Sequence, residues 1–203
     1  MAVARDDYLP AAGKHWLLPL YDPLLALLTG ERQWRGRIIA SLDLKRGDRV
    51  VDVGCGTGTL AIMAKQAEPG AEVIGIDPDP NALALGRKKA ARKAVAVSFQ
   101  RGFGDETATL VGAEGATKAV SSLALHHMPR ETHLQTIAAM RDALNPGGAI
   151  RIADFVGGHF GGTPASDLVQ DLTAAGFENA RLLHRFRVAF SDAVLVAAEK
   201  PAR

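Results

Sequence analysis

The stretch Val50-Val51-Asp52-Val53-Gly54-Cys55-Gly56-Thr57-Gly58-Thr59 constrains this chain more than any other. A β-branched run closes on glycines at three alternate positions, and a helix-patterned segment follows at residues 59–66. Glycine adopts φ > 0 at little cost and puts no Cβ in the way of an approaching group. A short apolar strand that turns sharply into a helix belongs to an α/β fold, and the rest of the chain repeats the alternation. Strand patterns occupy residues 49–53, 72–77, 95–99, 118–123 and 149–154. Helix patterns lie between them at 81–93 and 131–144, and afterwards at 166–175. Two last strands, 180–190 and 193–199, are separated only by a turn at Ser191-Asp192, so they should pair as an antiparallel hairpin. The expectation is a doubly wound, Rossmann-like, mostly parallel seven-stranded sheet with a C-terminal antiparallel hairpin and an N-terminal helical extension.

The 203 residues suit one domain, read as a helical N-terminal lid over 1–44 and a core over 45–203. A net charge of +2 is too even to argue for a nucleic-acid surface and fits a small-molecule partner. The one cysteine, Cys55, excludes a disulfide scaffold. No signal peptide is visible, and the apolar stretch 17–28 is broken by Pro19, Asp22 and Pro23. A cytoplasmic protein without an integral membrane segment is expected, with a homodimer allowed.

The chemistry centres on the glycine loop. An acid at the end of the second strand, Asp77, is placed to accept the hydroxyls of a ribose. Gly56-Thr57-Gly58-Thr59-Leu60-Ala61 also fits the string used by nicotinamide dinucleotides, which keeps an NAD-dependent oxidoreductase as an alternative. Asp52 argues against it. A carboxylate inside the first strand, just before the first glycine, would repel a pyrophosphate but suit a cationic ligand. S-adenosylmethionine carries a sulfonium and an ammonium and no phosphate.

Asp52-x-Gly54-x-Gly56-x-Gly58 followed by Asp77 resembles the first motif and the ribose acid of class I S-adenosylmethionine-dependent methyltransferases. Residues 121–127 (Ser-Ser-Leu-Ala-Leu-His-His), Leu144-Asn145-Pro146-Gly147-Gly148, Gly176-Phe177 and Leu20-Tyr21-Asp22-Pro23 extend the likeness toward the ubiquinone/menaquinone-biosynthesis type. The resemblance implies methyl transfer to a quinol, phenol, amine or isoprenoid-like acceptor. It also implies a cofactor cradle. Asp52, Gly54, Cys55, Gly56, Thr57 and Gly58 would form its loop, and Asp77 with Pro78 its ribose end. Gly102, Phe103 and Asp105 would lie near the adenine, Ser122 and Leu123 after the fourth strand, and Tyr21 would reach in from the lid.

The segment after the third strand departs from the family pattern. Arg101-Gly102-Phe103-Gly104-Asp105 stands where an acid is usual, and the Leu-Pro-Phe-like turn is missing. A non-catalytic, regulatory S-adenosylmethionine-binding protein therefore stays open as a further alternative. Phe103 would stack on the adenine and Asp105 accept from its amine.

His126 and His127 are the candidate general bases. Asp154, ending the fifth strand, reads as a pocket wall or a loop cap. Tyr8 and His15 lie in the lid. His126, His127 and His133 lack the spacing and partners of a metal site, so no metal is expected. Arg87, Lys88, Lys89, Arg92 and Lys93 read as a solvated helix face. Residues 155–164, with four glycines, are expected to form a mobile flap.

Overall fold

The structure is a computed structural model and describes residues 31–157, 162–188 and 191–202. The expected lid residues before Glu31, Tyr8, His15 and Tyr21 among them, lie outside the described residues. So does the middle of the glycine-rich loop, 158–161.

Seven strands form one sheet in the order β3-β2-β1-β4-β5-β7-β6. The strands are β1 (Arg49–Val53), β2 (Glu72–Asp77), β3 (Ser98–Arg101), β4 (Ala116–Ser122), β5 (Leu144–Phe155), β6 (Glu178–Val188) and β7 (Ser191–Glu199). The first five run parallel, and β7 is antiparallel to both β5 and β6. The order reverses between β1 and β4, so the carboxyl ends of those strands face the crevice where such sheets bind ligands.

Helices cover both faces. On one, α1 (Glu31–Leu42), α2 (Thr59–Ala67) and α3 (Pro80–Arg92) pack on the strands. On the other lie α4 (Thr107–Val111), α5 (Arg130–Ala143) and α6 (Ala165–Ala174). Trp34, Ile38 and Leu42 of α1, spaced at i, i+4 and i+8, are buried against Val50, Leu60, Val120 and Leu195. This stretch of the expected lid is therefore part of the core. Trp34 also stacks on Phe186 of β6, with ring centroids 5.7 Å apart, and so ties α1 to the hairpin.

Several boundaries differ from the sequence reading. The third strand starts at Ser98 rather than residue 95, because α3 ends in a left-handed cap. Ala94 takes φ 51, and the N–H groups of Ala94 and Val95 bond back to Ala91 and Ala90. The fifth strand extends back to Leu144, which pairs with Ala116 across an irregularity. The turn at Asn145–Gly148 lies inside it, pinned by Gly147 N–H on the Lys200 carbonyl. Ser191 and Asp192 pair with Val188 and Arg187, so they are strand and not turn. The short helix α4 had no sequence signal.

Candidate functional site

The loop after β1 is shaped by its neighbours. Gly54, Gly56 and Gly58 all have positive φ, at 71°, 54° and 71°. A Cβ on Gly54 would collide with Ala124, and one on Gly58 with the Phe99 ring. Protein packing alone therefore demands glycine at these two positions. Around Gly56 the space is open, so only its backbone conformation demands glycine. The Cys55 sulfur turns inward against Gly75 and Phe99, leaving the residue only its backbone to offer a ligand. Thr57 is buried, and its hydroxyl accepts from Lys89 Nζ at 3.0 Å, which also reaches Thr59 at 2.7 Å. Arg87 donates to the Phe99 carbonyl. Those two cations brace the loop and the third strand, so the basic run is not wholly a solvated face.

Asp52 lies on β1 beneath this loop and is 1% exposed. The backbone N–H of Ala61, in the first turn of α2, bonds to its carboxylate, while Oδ2 has no hydrogen-bond partner among the described residues. Burial pushes its pKa up to about 7, against the opposing pull of the Arg35 guanidinium. Arg35 projects from α1 beside Trp34, 4.5 Å from that ring's centroid, and donates to Ser122 Oγ at 3.0 Å. Arg35 was not singled out from the sequence, where Trp34 reads only as part of a helical apolar stripe. The available signal was an arginine flanking the apolar stripe of Trp34, Ile38 and Leu42.

Asp77 ends β2 beside the loop. One oxygen accepts the Gly56 N–H at 2.7 Å and the other the Asp79 N–H at 2.9 Å. Each carboxylate oxygen retains a further lone pair for a hydroxyl donor. Burial raises its pKa, and these two N–H groups oppose the rise. The helix cap here is Asp79, not Asp77. Gly102 N–H bonds to the Asp77 carbonyl, and Arg101 Nε bonds to that of Pro78, so the ends of β2 and β3 are held together. Phe103 and Asp105 follow at once, half-buried, with Gly104–Glu106 forming a 3-10 turn.

The third wall comes from β4. Leu123 holds an unusual φ of 54° and bonds to the Ala153 carbonyl on β5. The next residue, Ala124, is the one that Gly54 abuts. Leu125–His127 form a 3-10 turn, and the two histidine rings lie 3.9 Å apart. Asp154 Oδ1 lies 2.6 Å from His126 Nδ1, and Oδ2 accepts the His126 N–H at 2.9 Å. Asp154 is thus a cap on the turn and a partner of the ring, rather than a bare pocket wall. Phe155 meets the His126 ring edge-on at 4.9 Å. His127 is exposed, with its pKa lowered by desolvation and then by its neighbour His126. Of the glycine-rich loop, Gly157 and Gly162 bridge each other at the end of β5.

One end of the sheet therefore assembles Asp52, the glycine loop, Asp77 and the His126 turn. Among the described residues, no group of three or more His, Cys, Asp or Glu side chains could hold a metal ion, and no helix is long and apolar enough to cross a membrane. A family profile described as a methyltransferase domain matches residues 50–148, from β1 through the turn inside β5. The demethylmenaquinone methyltransferase of Thermus thermophilus is 32% identical over 141 residues, 68% of this chain and 62% of that protein. The chain carries a methyltransferase domain over residues 50–148.

The chain spans about 62% of the length of that relative. A second relative, the ribosomal protein L11 methyltransferase of Cupriavidus necator, is 42% identical over 80 residues, 38% of this chain and 26% of that protein. A solved structure of Haemonchus contortus phosphoethanolamine N-methyltransferase 2 in complex with S-adenosyl-L-methionine superposes with a TM-score of 0.81 at 15% identity, covering 99% of this chain and 60% of that one. Proteins named for such different acceptors resemble this chain, so an acceptor has to be argued from the chain's own site.

Proposed function

We propose that this chain transfers a methyl group from S-adenosylmethionine to a small hydroquinone or phenol. The observation that carries the cofactor half is the buried Oδ2 of Asp52, which has no hydrogen-bond partner among the described residues, beside a loop with open space at Gly56. A buried carboxylate oxygen without a donor is costly, and a cationic ligand group supplies the missing partner. A pyrophosphate would add a second anion there, so the arrangement argues against a nicotinamide dinucleotide.

When bound, S-adenosylmethionine supplies an electrophilic methyl group on a sulfonium. Asp52 and the Gly54–Gly58 loop would hold its amino-acid end, with Arg35 and Ser122 near that end's carboxylate. Asp77 and Pro78 would take the ribose. Gly102, Phe103 and Asp105 would flank the adenine, with Leu123 opposite. The protein's contribution to the reaction is alignment and exclusion of water. The acceptor class rests on the similarity to demethylmenaquinone methyltransferases.

Calorimetric titration with S-adenosylhomocysteine tests the cofactor. Asp77→Ala should weaken binding about 10- to 100-fold through the loss of charge-assisted hydrogen bonds. Unchanged affinity removes Asp77 from the site, and binding of NAD instead overturns the reading. Incubation with labelled S-adenosylmethionine and a demethylmenaquinol tests the acceptor. Tight cofactor binding without methylation of that quinol or of simple phenols would favour a non-catalytic role.

A further inference from the structure

Asp154 does more than cap a turn. Its oxygens receive two backbone donors, the His126 N–H at 2.9 Å and the Phe155 N–H at 2.8 Å, and Oδ1 lies 2.6 Å from His126 Nδ1. A carboxylate so supplied acts only as an acceptor, so the ring nitrogen facing it must carry the proton. That assigns the tautomer. His126 is protonated on Nδ1, and Nε2 presents a lone pair. Among the described residues, nothing hydrogen-bonds to Nε2. The ring is held on every other count. Its side chain is 4% exposed, Phe155 packs edge-on, and His127 lies across it. Its backbone follows Ala124, which touches Gly54 of the cofactor loop.

We infer that Asp154 and His126 form a proton-accepting pair for the methyl acceptor, with His126 as the base and Asp154 as its positioning residue. The inference rests on the reading of the site as a methyltransferase centre and narrows the acceptor to one that must surrender a hydroxyl proton. In the step assigned to the pair, the acceptor's O–H bond breaks and its electron pair stays on oxygen. The proton forms a bond to Nε2. The resulting imidazolium is stabilised by the Asp154 carboxylate across Nδ1–H, and the proton later leaves to water. An ionised hydroxyl makes the oxygen, or the ring carbon it activates, a competent nucleophile.

Two measurements test this, and only one needs turnover. In nitrogen–proton correlation spectra of the ring nitrogens, with His126 assigned by comparison with His126→Gln, the wild-type protein should show Nδ1 protonated and Nε2 bare at alkaline pH. Asp154→Asn can donate as well as accept, so it should shift His126 toward the opposite tautomer. A wild-type His126 protonated on Nε2 overturns the pair whatever the acceptor is. In turnover with a demethylmenaquinol, Asp154→Asn and His126→Ala should each lower kcat about 100-fold or more. Their affinity for S-adenosylhomocysteine should stay unchanged, and added imidazole should restore part of the rate to His126→Ala. A kcat that survives both substitutions overturns the proposal. If the wild-type protein methylates neither quinol nor phenol, the acceptor reading has failed, while the spectra still decide whether the pair exists. Should Asp154→Asn not fold, the wild-type spectrum and the imidazole rescue of His126→Ala carry the test.

Discussion

Replacing Asp52 by Asn should stabilise the ligand-free protein at alkaline pH and weaken cofactor binding. Burial raises the Asp52 pKa from 3.8 to about 7, so the folded protein holds a proton there that the unfolded chain has lost. Between those values the folded state binds more protons, and stability falls as pH rises. The contribution is intact below the unfolded value, erodes through the interval and is flat above about pH 7. One pKa unit corresponds to about 1.4 kcal/mol, so between pH 5 and 8 the carboxylate costs the wild type about 3 kcal/mol. Asn does not titrate. It places an amide where Oδ2 has no partner among the described residues, but that cost is independent of pH and cancels between the two conditions.

The assay is urea unfolding of both proteins at pH 5 and pH 8. The stability difference between variant and wild type should move by about 3 kcal/mol in favour of Asn on going to pH 8. Binding should move the other way. Loss of the charged partner should weaken S-adenosylhomocysteine by about 10- to 100-fold at pH 8. A stability difference that does not change with pH would refute the account of Asp52 as a carboxylate ionised at a cost. Unchanged affinity would refute its role in holding the ligand.

Other outcomes follow from the same geometry. Gly58→Ala forces a side chain into the left-handed region and into the Phe99 ring, and should cost about 3 kcal/mol in urea unfolding, whereas Gly56→Ala, in open space, should cost about 1–2. Arg35→Met removes the cation that holds the Asp52 pKa down, so the fall of stability with pH should extend to higher pH than in the wild type; an unchanged profile would show that Arg35 does not reach Asp52 electrostatically. His133 is buried beside Asp171 and has its pKa lowered, chiefly by desolvation. The unfolded chain then takes up a proton more readily, so stability should drop as pH falls below about 6.5, and His133→Gln should flatten that drop in thermal melts at pH 7.5 and 5.5.

The α/β alternation was legible because β1 and β2 are short apolar runs and most of the helices are followed within three residues by glycine or proline. The glycine loop and Asp77 were legible because their chemistry is local in sequence. What was missed depends on distant partners. The reason for Gly58 is Phe99 on the third strand, and the reason for Gly54 is Ala124 after the fourth. Arg35 became visible only when α1 was found packed beside β4, where the guanidinium meets Ser122. Asp154 could not be told from a wall residue until the parallel pairing of β4 and β5 set it against the His126 turn. Lys89 looked like one of five solvated cations because nothing in a helix pattern reveals two threonines waiting across a groove.

The three carboxylates at this end of the sheet differ in how completely they are satisfied, and that difference sorts their roles. Asp154 accepts two backbone N–H groups and faces an imidazole, so it works through His126 and has no need of a ligand. Asp77 accepts one N–H on each oxygen and keeps lone pairs aimed beside the loop, which suits neutral hydroxyl donors. Asp52 is tied on one side to the start of α2 and has nothing on Oδ2 among the described residues, which suits a cation. A scaffold that needed Asp52 only for folding would gain by supplying that last donor or by removing the charge. Retaining a buried, half-satisfied carboxylate trades stability for a place where a positive ligand group binds, and the Asp52→Asn measurements are the direct test of that trade.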